Sequence, residues 1–449
     1  MAAAIALSGS GLSVALFDEQ AHAGGQIYRK SKTNSALEQD RQVTKHGNAL
    51  ITKFLQTEIA YFPETFVWYV DGPSLIAVKQ KQKVHKTSCR FLLVATGAQE
   101  RPVAFKGWQL PGVMGVGAAQ ILLKQAGAVP DKPPVLFGSG PLLYLYASQL
   151  ISAGVVPQAM LDTTQLQHQL RSLKYLPQAT SMALLKGIQM LHRIRKAGVK
   201  IIPQVEQVSA FGSNRLERIE YISKGKTSHI DTSILLSHHG VIPETRLLQT
   251  INAQCSWDES GQCFRPVLNT WGECSVAGVY VAGDVAGITG AISAEYTAKI
   301  AAADMLYRCA VISQQQRNKQ SQGVRKLFRR DKKIRPFLES RYRVPASLLI
   351  PQQAAMVCRC EGVTAKEISA AIKLGCSGPN QLKAFTRCGM GACQGRMCGP
   401  TVEAMLSDAT GRSRADVARF RGRAPVRPVS LDTLASLHNS EPPDAKSVL

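Results

Sequence analysis

Val14-Ala-Leu-Phe17-Asp18-Glu19, followed by Gly24-Gly25-Gln26, decides how the first half of this chain is read. The apolar run has the length of a buried strand and stops on two acids. Residues 1–13 before it read as a helix and a turn. That order is the second half of a βαβ nucleotide-binding unit, whose closing acid hydrogen-bonds the adenosine ribose hydroxyls. Glu19 is the candidate acid. The first half of such a unit is a strand and a G-x-G-x-x-G loop that holds the pyrophosphate on a helix N-terminus. Met1 falls just past the place of the last glycine, so the chain is expected to start inside the motif. A mis-assigned start, a fragment or a degenerate protein would each produce this. A signal peptide is the competing reading, opposed by the lack of a basic n-region and by Ser8-Gly-Ser-Gly11.

Two further strand ends continue the pattern. Phe91-Leu-Leu-Val-Ala95-Thr96-Gly97 is a buried strand closing on Ala-Thr-Gly, and Gly278-Val-Tyr-Val-Ala-Gly283-Asp284 closes on Gly-Asp. A helix over 291–309 follows the second, and its N-terminal dipole would favour negative charge on a bound group. Between them, Pro134-Val-Leu-Phe-Gly138-Ser-Gly140-Pro141-Leu-Leu143 reads as a second strand–loop–helix. It has two glycines of the fingerprint, with Leu143 in place of the third, which should hold helix and strand apart. Asp162, after the next strand, would meet a ribose and fits NAD better than NADP. Helices are expected over 35–57 and 180–196, strands at 66–68 and 74–78, and a small meander over 201–222. His238-His239 invites acid–base chemistry, but a turn on the return to the first domain is the preferred reading.

The C-terminal third carries different chemistry. Cys358-Arg-Cys360 precedes Cys388-Gly-Met-Gly-Ala-Cys393-Gln-Gly-Arg-Met-Cys398, and six of the eleven cysteines, including Cys376, lie within these residues. Thiolates clustered this way suit an iron–sulfur cluster or zinc. Cys388/Cys393 and Cys393/Cys398 share one spacing, so spacing alone leaves the fourth ligand open. Glycines 389, 391, 395 and 399 let the backbone fold tightly and aim N–H groups at sulfur. Cys376 reads as a core residue just past a helix over 365–374.

The 449 residues are 45% hydrophobic, with a net charge of +23. No run of 18 uncharged apolar residues occurs, so no membrane span is expected. Thiolate-rich metal binding places the chain in a reducing compartment, the cytoplasm, with peripheral contact at the inner membrane face left open. Residues 317–343 hold eleven Lys/Arg against two acids. The preferred reading is a solvated linker with a basic helix, ahead of an acidic partner surface or an anionic membrane. No aromatic platform accompanies it, so no nucleic acid is expected.

Taken together, Glu19 with Gly24-Gly25, Ala95-Thr96-Gly97 and Gly283-Asp284 resemble the signatures of two-dinucleotide-domain flavoproteins. Residues 357–400 resemble the bacterioferritin-associated-ferredoxin-like (BFD-like) [2Fe–2S] domain. In related glycerol-3-phosphate dehydrogenases a non-cysteine stands where Cys388 does. That implies Cys358, Cys360, Cys393 and Cys398 as ligands, with Cys388 the alternative. From Met1 to about residue 437 the chain resembles the A or alpha subunit of heteromeric amine and imino-acid dehydrogenases: opine oxidase, D-hydroxyproline/proline dehydrogenase and the hydrogen cyanide synthase B-type subunit. The carrying residues include Gly24-Gly25-Gln26-Ile-Tyr-Arg29 and Arg265-Pro-Val-Leu268.

The resemblance implies an α/β fold with Rossmann-like FAD and NAD(P) domains and a small helical cluster domain. It divides the chain into residues 1–97 with 244–312 (FAD), 98–243 (second nucleotide), 313–350 (basic linker), 351–410 (cluster) and 411–449 (tail). It implies FAD at Glu19, Gly24, Gly25, Gln26, Arg29, Val67 (adenine), Ala95, Thr96, Gly97, Gly283 and Asp284, and NAD(P) or another adenine nucleotide at Gly138 and Gly140. It also implies a flavin-bearing partner that takes hydride from an amine carbon, with electrons then passing through the cluster to this chain's FAD or an outside acceptor. No general base is assigned. A stand-alone NAD(P)H-dependent reductase and a non-catalytic remnant are the alternatives.

Overall fold

The computed structural model describes residues 1–28, 41–73, 75–80, 83–178 and 181–436. Arg29, residues 35–40 of the expected 35–57 helix and the tail beyond 436 lie outside them.

In the first domain, Ala15–Phe17 pairs in parallel with Ala60–Phe62, and Leu92–Val94 pairs in parallel with Val279–Val281. No strand joins the two pairs among the described residues. The opening helix Ala2–Leu7 buries Ala3 and Leu7 against Ala301, Ala302 and Met305 of the helix Ala291–Arg308. Alanine on both faces lets the two backbones approach closely, which is how so short a helix is held. A three-stranded antiparallel sheet, Thr65–Asp71, Leu75–Gln80 and Lys83–Thr87, lies beside them with Trp68 buried. The hairpin Cys255–Asp258/Cys263–Pro266 is an addition that the sequence reading did not include.

The second domain is a five-stranded parallel sheet in the order Lys200–Ile202, Ala159–Asp162, Val135–Ser139, Leu235–His239, Val113–Gly115. Val135-Leu-Phe137 has no exposed surface, as expected of a central strand covered on both faces. The meander runs past the expected span of 201–222: Lys226–Asp231 joins Val205–Phe211 and Arg218–Ser223, while Lys200–Ile202 belongs to the parallel sheet. An antiparallel ribbon, Ala98–Glu100 against Val241–Pro243, carries the chain between the two domains. It is clamped where it leaves the first: Thr96 Oγ1 donates to Glu244 O at 2.7 Å, and Glu244 N donates to Gly97 O at 3.0 Å.

The basic segment is not a free linker. It forms the helices Gln314–Lys332, opened by a Ser313/Gln316 capping box, and Arg335–Arg341. Arg317 is nearly buried: its Nη1 lies 2.7 Å from Asp304 Oδ1, and its guanidinium sits 4.1 Å from the Trp271 ring and 4.2 Å from that of Tyr307. The second helix packs on the second domain, where Tyr342 meets Tyr144. The cluster domain follows as a two-stranded turn, Met356–Cys358 with Val363–Thr364, and the helices Ala365–Lys373, Pro379–Thr386 and Gly399–Thr410.

Asp304 also accepts from Tyr280 Oη at 2.6 Å, so removing its cation leaves a buried carboxylate without a counter-charge. Arg317→Ala is expected to destabilise the fold by about 3–5 kcal/mol, read as a lower urea midpoint. Arg317→Lys should recover only part, because an ammonium cannot both stack on Trp271 and pair with Asp304 in the same way.

Candidate functional site

Strand ends place the residues expected on the flavin side. Because Leu92–Val94 and Val279–Val281 run parallel and side by side, Ala95-Thr96-Gly97 and Gly283-Asp284 leave the sheet together. Gly97 and Gly283 both hold positive φ, +73° and +80°. Asp284 Oδ1 accepts Thr289 N and Gly290 N, each at 3.0 Å, and so shapes the turn that opens the helix Ala291–Arg308. At the other end of the domain, Asp18 O accepts Thr65 N at 2.8 Å. This sets Glu19 beside the strand that carries Val67. Gly24 is buried, and a Cβ there would meet Tyr28 O at 2.4 Å. Gln26 is exposed. Glu295, from the helix, accepts from Tyr28 Oη at 3.2 Å and lies 2.7 Å from His46 Nε2. Burial and this carboxylate push the Tyr28 hydroxyl well above its ordinary pKa.

The second loop is tight. A Cβ at Gly138 would stand 1.7 Å from His238 O, so only glycine fits there. Leu143 is fully buried among Leu136, Tyr146 and Met160. Asp162 is already engaged: Tyr144 Oη donates to Oδ2 at 2.6 Å and Thr164 N to Oδ1 at 2.8 Å. A ribose would compete with both.

The two histidines part ways. His239 lies under Phe137 at 4.8 Å, with neither ring nitrogen hydrogen-bonded. Burial, then the neighbouring His238 and Arg101, push its pKa down to about 3, so it is a neutral core residue. His238 Nδ1 lies 2.7 Å from Glu100 Oε1, and Glu100 also caps the helix Val116–Ala126 by accepting Gly117 N at 3.0 Å. Its ring lies along Gly140 and lines a cleft of about 680 Å³ between the two domains and the basic helices. The sequence reading missed Glu100; its place three residues after Ala-Thr-Gly was the available signal.

In the cluster domain, the sulfurs of Cys358, Cys388 and Cys398 lie within 4.8 Å of one another, and all three residues are buried. The thiols of Cys388 and Cys398 donate to Cys358 and hold its pKa down to about 2, while their own rise. Three buried sulfurs this close suit a site where a metal would supply the charge that compensates thiolates. Cys360 and Cys393 form a second pair alongside: Cys393 N donates to the Cys360 sulfur, and the two side chains meet. A Cβ at Gly391 would lie 2.3 Å from Cys360 Cβ, so the two cysteine loops touch through a glycine. Gly389 and Gly395, both at positive φ, fold round the Phe420 ring. Cys398 begins the helix Gly399–Thr410, whose N-terminus favours anionic sulfur. Cys376 is buried in the core of this domain, bonded to Gly378 O. Five thiols thus converge, enough for the four ligands of a [2Fe–2S] cluster.

The cluster loop rests on the interdomain ribbon. Gln99 Nε2 donates to Arg396 O at 3.3 Å, and Trp108 Nε1 donates to Met356 O at 2.6 Å. Met397, Leu348 and Leu349 share a core with Phe105 and Phe137. Glu403 is buried in this junction; burial pushes its pKa up to about 8, against the pull of Arg414, Arg419 and Arg101.

Residues 1–305 match the pyridine nucleotide-disulphide oxidoreductase family model, and residues 356–408 match the BFD-like [2Fe-2S] binding domain. The A subunit of opine oxidase from Agrobacterium tumefaciens (strain Ach5) is 40% identical over 97% of this chain and 89% of its own. Its counterpart in Rhizobium meliloti is 39% identical, over 97% and 85%. The HcnB subunit of hydrogen cyanide synthase from Pseudomonas aeruginosa is 29% identical over 97% of this chain and 96% of its own. Among solved structures, L-proline dehydrogenase from P. horikoshii superposes over 96% of this chain and 77% of its own with a TM-score of 0.68 at 19% identity, which shows a shared fold. The chain belongs to the pyridine nucleotide-disulphide oxidoreductase family, as an FAD-dependent oxidoreductase of the group that includes the opine oxidase A subunits, and carries a C-terminal BFD-like [2Fe–2S] domain.

Proposed function

We propose that this chain is the electron-transfer subunit of a heteromeric dehydrogenase that oxidises an amino or imino acid of the opine, proline/hydroxyproline, glycine or sarcosine type. The docking of the cluster loop on the ribbon that leaves Ala95-Thr96-Gly97 supports the reading: Gln99, two residues past Gly97, donates to Arg396 O between Cys393 and Cys398. The relatives named as subunits support a hetero-oligomer. No helix among the described residues is long and apolar enough to cross a membrane.

When bound, FAD exchanges electrons in pairs or singly, and a [2Fe–2S] cluster exchanges them singly. The chain's own residues bind and orient. Glu19 and Val67 would hold the adenosine half of FAD; Gly97, Gly283 and Asp284 would line its flavin half. Cys358, Cys360, Cys393 and Cys398 would supply the four thiolates that hold the cluster. Cys388, whose sulfur lies within 4.8 Å of those of Cys358 and Cys398, is the alternative ligand. An adenine nucleotide at Gly138 and Gly140 is supported by the cleft beside them. The engaged Asp162 and buried Leu143 weigh against a stand-alone NAD(P)H reductase.

Purified without oxygen, the chain is expected to contain iron and acid-labile sulfide in equal amounts, to bind FAD, and to give a rhombic EPR signal on reduction. Zinc in place of iron would sink the electron-transfer role. Serine at Cys358, Cys360, Cys393 or Cys398 should abolish the signal, whereas Cys388→Ser should keep the iron and shift the spectrum. Iron lost from Cys388→Ser but retained in Cys360→Ser or Cys393→Ser would transfer the ligand role to Cys388.

A further inference from the structure

Beyond the cluster domain the chain turns back to the first domain. Phe420 is still buried in the cluster core. Six residues on, Val426 N donates to Trp68 O at 3.1 Å, and Arg246 Nη1 donates to Val426 O at 3.1 Å. Val429 packs against Trp68 and Val84. Residues 426–429 therefore lie along the strand Thr65–Asp71, and Arg427 sits between the two anchored valines. Its Nη1 is 2.8 Å from Glu19 Oε2, and its guanidinium carbon is 4.9 Å from the centroid of the Phe66 ring. Glu19 and Val67, next to Phe66, are the two residues to which the ribose and adenine of FAD are assigned above.

We propose that Arg427 is an FAD-binding residue, and that the returning segment forms the outer wall of the adenosine pocket. The proposal rests on the reading of Glu19 as the ribose acid. The planar guanidinium has donors to spare after pairing with one carboxylate oxygen, and its face can stack on a purine as it now lies on Phe66. Held this way, it fixes the Glu19 carboxylate toward the ribose hydroxyls. It also ties retention of the flavin to the cluster domain, because the wall begins where that domain ends. An ion pair between two part-exposed groups adds little to folding stability by itself. A role in cofactor binding is therefore separable from a structural one.

The test uses the full chain with its cluster, stripped of flavin and retitrated with FAD and, separately, with FMN, which lacks the adenosine. Arg427→Ala is expected to raise the Kd for FAD about tenfold or more. It should leave the Kd for FMN, the iron content and the melting temperature of the flavin-free chain unchanged, and Arg427→Lys should recover part of the loss. Equal weakening of FAD and FMN, or a lower melting temperature, would make the segment merely structural and overturn the proposal. Unchanged FAD affinity in Arg427→Ala, with affinity lost in Glu19→Ala, would overturn it while keeping Glu19 as the ribose acid. If Glu19→Ala also binds FAD normally, the ribose assignment fails, and the proposal fails with it.

Discussion

Three consecutive residues, the last two of the ribbon strand Ala98–Glu100 and the Arg101 that follows it, hold four parts of the molecule together. Gln99 donates to the cluster loop, Glu100 fixes His238 and the start of the helix Val116–Ala126, and Arg101 donates to His239 O, Gln262 O and Gly261 O. Alternation along a strand sends successive side chains to opposite faces, so one short strand can address bodies on both sides of it. Arg101 is buried, and its guanidinium donors are spent on carbonyls rather than on an acid. Five N–H groups in a fixed fork can satisfy a whole turn in this way, which a lysine cannot. The relative placement of flavin site, second nucleotide loop and cluster thus depends on hydrogen bonds within a few residues of Gly97.

The positive charge is organised rather than merely surplus. Arg317 and Arg325 both lie on Trp271, 4.1 and 4.3 Å from its ring, and Arg317 completes a buried pair with Asp304. Arg329, Lys332, Lys333 and Arg335 face the cleft that Gly140 and His238 also line. The basic segment is a helix packed on Ala291–Arg308 whose Lys and Arg side chains stay largely exposed, since guanidinium groups can cover aromatic rings while remaining charged. The same segment brings Tyr342 against Tyr144, whose hydroxyl occupies Asp162. The second domain keeps the shape of a nucleotide-binding unit while its acid serves an internal contact.

The cysteine cluster shows how burial and covalent spacing divide the work. Sequence spacing brings five thiols into two short loops, but which sulfurs meet depends on how the loops cross. Gly391 lets the loops touch, and Phe420, arriving from beyond the third helix, locks Gly389 and Gly395 around it. The buried triad Cys358, Cys388 and Cys398 and the outer pair Cys360 and Cys393 result from that packing, with Cys376 kept apart in the domain core.

The α/β architecture with its separate thiolate-rich domain was legible in the chain, because strand-end signatures and cysteine spacing are local. An apolar run ending in Asp18-Glu19, in Ala95-Thr96-Gly97 or in Gly283-Asp284 reports backbone geometry within a few residues. The register of the strands, the engagement of Asp162, the split between His238 and His239 and the meeting of Arg427 with Glu19 were not legible. Each joins residues distant along the chain or depends on which face of an element is covered. Glu19 and Arg427 stand at opposite ends of the sequence, and only the return of the chain across the strand Thr65–Asp71 brings them to 2.8 Å. Strand-end signatures and the clustering of cysteines follow from local sequence, whereas the hairpin Cys255–Asp258/Cys263–Pro266 does not. The tertiary structure decided which side chains are left to face a ligand, because that depends on the competition among buried partners for each donor and acceptor.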